Sequence, residues 1–252
     1  MVAEARGLAL LRPAPGFAIS PARLMLGRMS GEPVTIDVIS DVVCPWCYLG
    51  KRRLARAIGL MPEFPFAVRW RPFRLDPTIP PEGVAREDYL TTKFGSIEAL
   101  DESHRQLAER GRQEGIDYHF DRITRSPNTV DAHRVVRWAA AEGAEDDMVE
   151  RLFAAYFSEG LDVGATQVLA ALAEDVGLSG RSVAARLAGE DDRAAVVAEI
   201  ENAYRIGVSG VPCFIIDYRL SVTGAHSPEV LVQAIEQAVA ERGASRSETE
   251  AL

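Results

Sequence analysis

Hydrophobic and β-branched residues crowd Val34 to Ile39 (VTIDVI), the run stops at Ser40-Asp41, and a helical repeat takes over just after Cys44. That pattern is a strand leading directly into a helix. In the helix Tyr48, Leu54, Ala55 and Ile58 fall on the inward face, Lys51, Arg52, Arg53 and Arg56 form a solvated basic face, and Gly59 stands near the stop. Phe66 to Phe73 (FAVRWRPF) alternates apolar with polar residues, as a second strand would. From about Ala85 to Leu187 the period is helical. Ile97, Leu100, His104 and Leu107 recur at helix spacing, Asn128 and Asp131 precede a face made by Val135 and Trp138, and Thr166 starts a segment that Gly177 ends. The spacing predicts four or five helices there and no strand. After Gly189 a helix carries Ala194, Val197, Ile200 and Tyr204 on one stripe and ends at Gly207. Val211 to Ile216 (VPCFII) reads as an apolar strand, Asp217-Tyr218 as a turn, and Leu220 to Thr223 as the hairpin partner. A last helix opens at Ser227-Pro228-Glu229 and buries Val230, Leu231, Ala234, Ile235 and Ala238.

The order is therefore β-α-β, a helical stretch of roughly a hundred residues, then α-β-β-α. It is the order of a thioredoxin fold whose sheet is split by an insertion. The expected class is α/β, with a central mixed sheet built from residues 34–84 and 189–242 and a large all-helical domain at 85–188. Residues 1–33 mix short apolar pieces with prolines and arginines and are expected to be disordered, and residues 243–252 to fray. A secretory signal would need a basic start and an unbroken apolar stretch, whereas this segment carries Glu4 early and is broken by Pro13, Pro15 and Pro21. A cytoplasmic location is expected. No apolar run approaches the roughly 18 to 20 residues that span a bilayer. The 37 acidic residues against 28 Lys plus Arg give a formal charge of −9, which offers no basic field to a phosphate backbone and excludes general nucleic-acid binding.

Three cysteines in 252 residues do not make a disulfide framework, but Cys44 and Cys47 are spaced C-x-x-C where the first strand meets the first helix. Disulfide exchange proceeds by attack of a thiolate on sulfur, so one cysteine must be exposed and readily ionised. Unpaired N–H groups and the dipole of a helix N-terminus favour an anion, which suits Cys44 to that part. Cys47, one turn further in, is the resolving thiol. Pro45 loses no hydrogen bond at an early helical position, and Trp46 offers an aromatic surface beside the sulfurs. Half of a zinc site is the competing reading of C-x-x-C, yet only Cys213 and four histidines remain, and none forms a second pair with ligand spacing. No metal is expected. Val211-Pro212 adds to the redox reading, because a proline cannot donate to a strand ladder. In a thioredoxin layout this proline is cis, lies beside the C-x-x-C and leaves the Val211 backbone to pair with substrate main chain.

Three segments, Asp41-Val-Val-Cys-Pro-Trp-Cys-Tyr-Leu-Gly50, Ser126-Pro-Asn-Thr-Val-Asp-Ala-His-Arg134 and Gly210-Val-Pro-Cys-Phe-Ile-Ile216, together resemble the DsbA-like FrnE family over about Val34 to Ala240. The resemblance implies a thioredoxin fold with an inserted helical domain, dithiol–disulfide activity, no metal and a cytoplasmic setting. It also implies Cys44 as nucleophile, Cys47 as resolving thiol and Pro212 as the cis-proline. Relatives with the same layout, the 2-hydroxychromene-2-carboxylate isomerases and kappa-class glutathione transferases, typically carry serine where Cys44 stands. In them the position of Asn128 lies near bound glutathione, so a glutathione-dependent isomerase or transferase is the rival reading, and a redox-silent peptide-binding module is a third. The expected partners are a peptide or protein disulfide or dithiol, or glutathione as co-substrate, with the chain a monomer or homodimer.

Asp37, on the otherwise apolar first strand, is the candidate proton acceptor for Cys47, with a solvent-facing Asp as the competing reading. Cys213 reads as a small buried hydrophobe, and His104 and His133 as packing residues.

Overall fold

The computed structural model describes residues 32–96 and 100–250. Its elements are β1 (Val34–Ser40), α1 (Pro45–Gly59), β2 (Phe66–Pro72), β3 (Val84–Ala85), α2 (Arg86–Phe94), α3 (Asp101–Gln113), β4 (Arg125–Ser126), α4 (Val130–Ala141), α5 (Glu145–Phe157), α6 (Thr166–Asp175), α7 (Gly180–Leu187), α8 (Arg193–Arg205), β5 (Cys213–Ile216), β6 (Leu220–Thr223) and α9 (Pro228–Glu250). The four-stranded sheet runs β2-β1-β5-β6, with β1 parallel to β2 and antiparallel to β5, and β5 antiparallel to β6. This is the α/β thioredoxin fold with a helical insertion.

Side chains alternate across a strand, so the sheet has two different faces. Val34, Ile36 and Val38 pack with Cys47, Leu54 and Ala57 of α1 and with Leu231 and Ile235 of α9. On the opposite face Ile39 meets Phe73, Cys213 and Ala203 of α8. The β5–β6 hairpin turns through Asp217 and Tyr218, both at positive φ (49° and 55°), closed by the Arg219 N–H on the Ile216 carbonyl. Asp217 tolerates this backbone because its carboxylate accepts from the Thr35 N–H at 3.0 Å and pairs with Arg242.

Several expectations are corrected. The insertion holds six α-helices and a 3₁₀ turn at Phe120–Arg122 among the described residues, not four or five helices, and Val84–Ala85 pairs with Arg125–Ser126 as a two-stranded ribbon where no strand was expected. Such two-residue strands carry no readable alternation. The last helix runs on through Gly243 to Glu250. Helix α8 buries Val196, Ile200 and Ala203, not Ala194, Val197 and Tyr204. Adjacent apolar pairs made its stripe ambiguous, and Val130 of α4, which packs on Val196 and Ile200, decides it. The expected disorder of the N-terminal segment and the place of Ile97 lie outside the described residues. No helix among those described is long and apolar enough to cross a membrane.

The basic face of α1 is solvated only in part: Arg56 is exposed, but Lys51 is not. Helix α5 packs beside it and brings Asp146 and Glu150 to Lys51 Nζ at 2.7 and 3.3 Å, with Glu150 also 2.6 Å from Arg52. Lys51 is consequently buried, its ammonium over the Trp70 ring, while Ala55 is exposed. Below these pairs Tyr48 stacks on Phe153 at 5.1 Å and meets Tyr118 edge-on at 5.9 Å.

Arg134 of α4 is 0% exposed. Its guanidinium donates to the carbonyls of Asp191, Arg186 and Gly189 at 2.7 to 2.8 Å and pairs with Asp131 at 2.9 Å. It thereby ties α4 to the turn between α7 and α8. Arg134→Ala strands those acceptors, and urea unfolding is expected to show a loss of about 3–5 kcal/mol.

Candidate active site

Cys44 is the N-cap of α1, with extended backbone angles (φ −93°, ψ 111°) and Pro45 next in the first turn. The Cys44 N–H donates to the Asp41 carbonyl at 3.0 Å, and the Cys44 carbonyl accepts from Cys47 N–H at 3.0 Å. The loop between β1 and α1 is fixed by the Asp41 carboxylate, which accepts from the Leu75 N–H at 2.8 Å and lies 3.7 Å from His133 Nε2. His133 Nε2 is itself 3.0 Å from the Phe73 carbonyl.

Both Cys44 and Cys47 are free thiols. Cys47 is fully buried, and burial pushes its thiol well up from the ordinary range. A hydrogen bond with Cys44 and negative charge there push it further, while the Ser40 hydroxyl and the Asp41 backbone act weakly the other way. Cys47 is thus held as the protonated partner of its neighbour.

The Val211–Pro212 peptide is cis, and the Val211 carbonyl stands 3.8 Å from Cys44 Sγ. Proline and cysteine pair meet because Gly50, in the interior of α1, has no side chain: a Cβ there would lie 2.8 Å from Pro212 Cγ and 3.2 Å from the Phe214 ring. The expected exposure of Cys44 is not found. It is 3% exposed, with the Val211 carbonyl against the sulfur.

Tyr118, which the sequence did not single out, donates its hydroxyl to the Pro45 carbonyl inside the motif at 2.6 Å. Burial pushes its phenol well up from the ordinary range, so it remains a donor. Gly111 of α3 makes room for its ring, since a Cβ there would come within 2.4 Å of it. Trp46 is half-buried, with the Arg110 guanidinium 5.5 Å over its ring.

Two candidate residues stand elsewhere. Asp37 has the strand parity of Ile39, so it points to the face opposite Cys47, where it pairs with Arg71 at 2.8 Å. It is not placed to receive a proton from Cys47. Asn128 spends its amide on the Ile79 carbonyl (3.0 Å) and the Val130 N–H (3.1 Å), with no contact to either cysteine among the described residues. Cys213 is buried with Ile39 and Phe73 as expected of a small hydrophobe, and the His104 ring stacks on Phe120 at 4.2 Å. The sequence carries a signal for this contact: a glycine inside a helix costs about 1 kcal/mol against alanine and marks a close approach, as Gly50 does.

A cysteine pair opening a helix, faced by a cis-proline at the head of an antiparallel strand, is the working edge of a thioredoxin-like protein. More particularly, residues 35–236 match the family described as DSBA-like thioredoxin domain, and the chain belongs to that family. It is 30% identical to the structure of a probable DsbA oxidoreductase, SCO1869, from Streptomyces coelicolor, which covers 82% of this chain and 91% of that one with a TM-score of 0.75. It is 29% identical over 204 residues to the uncharacterized protein YwbO of Bacillus subtilis (strain 168), covering 80% of this chain and 96% of that protein. The cytosolic disulfide reductase DsbM from Pseudomonas aeruginosa, solved with GSH, shares the fold at 18% identity and a TM-score of 0.55, over 84% of this chain and 99% of that one.

Gly50→Ala is expected to destabilise the protein by about 1–3 kcal/mol in urea melts through overpacking against Pro212. A pH series tests the buried thiol. Because the native state holds the Cys47 proton more tightly than the unfolded chain does, stability is complete below the unfolded cysteine value of about 8.5 and falls as pH rises above it. Reduced Cys47→Ala should show a shallower slope, keeping only the share of the buried Cys213 thiol.

Proposed function

We propose that the protein is a thiol–disulfide oxidoreductase that cycles Cys44 and Cys47 between dithiol and disulfide. One observation carries this reading: Cys44 caps α1 beside the Val211 carbonyl while its hydrogen-bonded neighbour Cys47 is buried and kept protonated. The two sulfurs are thereby given different duties. Cys44, as thiolate, attacks a substrate disulfide, forming a Cys44–substrate bond and releasing the other substrate sulfur. Cys47 then attacks Cys44, closing the internal disulfide and releasing the second substrate thiol. Donors and acceptors of the Val211 backbone align a peptide, or the short peptide of glutathione, across the motif. Cover over Cys44 means that this groove must open for the substrate sulfur to reach it. In the reducing cytoplasm such a dithiol works as a reductase or isomerase.

The test is equilibration of the purified protein in a series of dithiol buffers, with Cys44→Ser beside it. Wild type is expected to show one two-electron transition, tenfold in equilibrium constant per roughly 30 mV, and to reduce insulin disulfides. The variant should show neither. Identical behaviour of the two proteins sinks the reading, and a glutathione-dependent reaction retained by both would favour the isomerase or transferase.

A further inference from the structure

With Asp37 on the wrong face, the proton of Cys47 needs another outlet, because Cys47 is fully buried and must lose that proton when it attacks Cys44. Ser40 stands on the correct face of β1. Its hydroxyl approaches Cys47 closely enough to favour the thiolate, yet it is buried and in hydrogen-bonding geometry with no protein group. The same Ser40 lines a cavity of about 100 Å³ between the sheet and the inserted domain, enough for several waters. Facing Ser40 across it are Arg71 of β2, His133 and Arg137 of α4, Glu145 of α5 and Glu199 of α8.

We infer that this cavity is the proton outlet of Cys47, with Ser40 relaying the proton and Glu145 receiving it. The assignment rests on the oxidoreductase reading above and extends it to the resolving step. Cys47 Sγ bonds to Cys44 Sγ, the Cys44–substrate S–S bond breaks, and its electron pair leaves on the substrate sulfur. The Cys47 proton passes to Ser40 Oγ as Ser40 gives its own to cavity water, which protonates the Glu145 carboxylate.

The other groups around the cavity are already engaged. Glu199 pairs with Arg137 at 2.5 Å, and Arg71 pairs with Asp37. His133 Nε2 lies on the Phe73 carbonyl and 3.7 Å from Asp41, a carboxylate outside the cavity lining that accepts from the Leu75 and Val43 N–H groups. Glu145 forms no ion pair among the described residues; its Oε1 accepts from the Trp70 N–H at 3.1 Å. Burial raises its carboxyl above the usual range, Asp146 and Asp37 add to the rise, and the Trp70 N–H and Arg71 oppose it. A carboxylate so raised takes up a proton more readily than a free one.

The experiment mixes reduced protein rapidly with oxidised glutathione, quenches in acid at intervals and weighs the species by mass, across a pH series from mildly acidic to mildly alkaline. Wild type should close its disulfide with little mixed disulfide present, at a rate that rises as Glu145 ionises. Ser40→Ala and Glu145→Gln should accumulate the Cys44–glutathione mixed disulfide, close about tenfold more slowly or worse, and in the Glu145 variant lose that inflection. Glu145→Asp should restore part of the rate. Cys44 alkylation by iodoacetamide reads the first thiol alone and should match wild type in all variants, with thermal melts confirming folding. Both variants closing as fast as wild type, or slowing alkylation equally, overturns the proton route alone. A wild type that never closes Cys44–Cys47 overturns the oxidoreductase reading and this route with it.

Discussion

Two sulfurs one helical turn apart must be kept chemically unequal, and the N-terminus of α1 is where the protein does this. A helix start leaves backbone N–H groups without partners, and Cys44 occupies that position while Cys47 lies a turn inside, against β1. The asymmetry is one of position on the helix, since both side chains are buried. Burial pushes the Cys47 thiol well up, and a charge on the neighbouring sulfur pushes it further, so Cys47 keeps its proton. Other features of the site serve to hold this geometry: Asp41 pins the loop before the helix, and Gly50 admits the ring of Pro212.

The inserted helices contribute to that arrangement rather than merely interrupting the sheet. Tyr118 reaches from the insertion to the Pro45 carbonyl, and Asp146 and Glu150 neutralise the basic side of α1. An aromatic cluster of Tyr48, Phe153, Phe157 and Tyr118 fills the seam between them. Charges drawn into this seam are paired, as buried charges must be. The sheet and α1 therefore carry the thiols, while the insertion braces α1 through Tyr118, Asp146 and Glu150.

Much of this was legible in the chain. The strand-to-helix junction at Cys44, the Pro212-led strand, the Asp217-Tyr218 turn and the Pro228 helix start all rest on local signals: a proline without an N–H, a capping position, a period of two or of 3.6. Such signals act within a few residues, so the sequence states them directly. The Cys44-Pro45-Trp46-Cys47 pair and its setting at a helix start belong to this group.

What the sequence could not decide is which groups meet across the fold. Asp37 and Ser40 are three residues apart on one strand, and the one-residue difference in parity sends the acid to Arg71 and the hydroxyl toward Cys47. Lys51 reads as a solvent-facing cation until α5, nearly a hundred residues later, lays two carboxylates on it. Tyr118 carries no local mark, and its hydrogen bond to Pro45 exists only because Gly111 leaves room for its ring. The sequence alone thus determined the thiol pair and the elements that bear it, through short-range backbone chemistry. Tertiary structure decided the exposure of Cys44 and the surroundings of Cys47, because burial and proton affinity depend on partners distant along the chain.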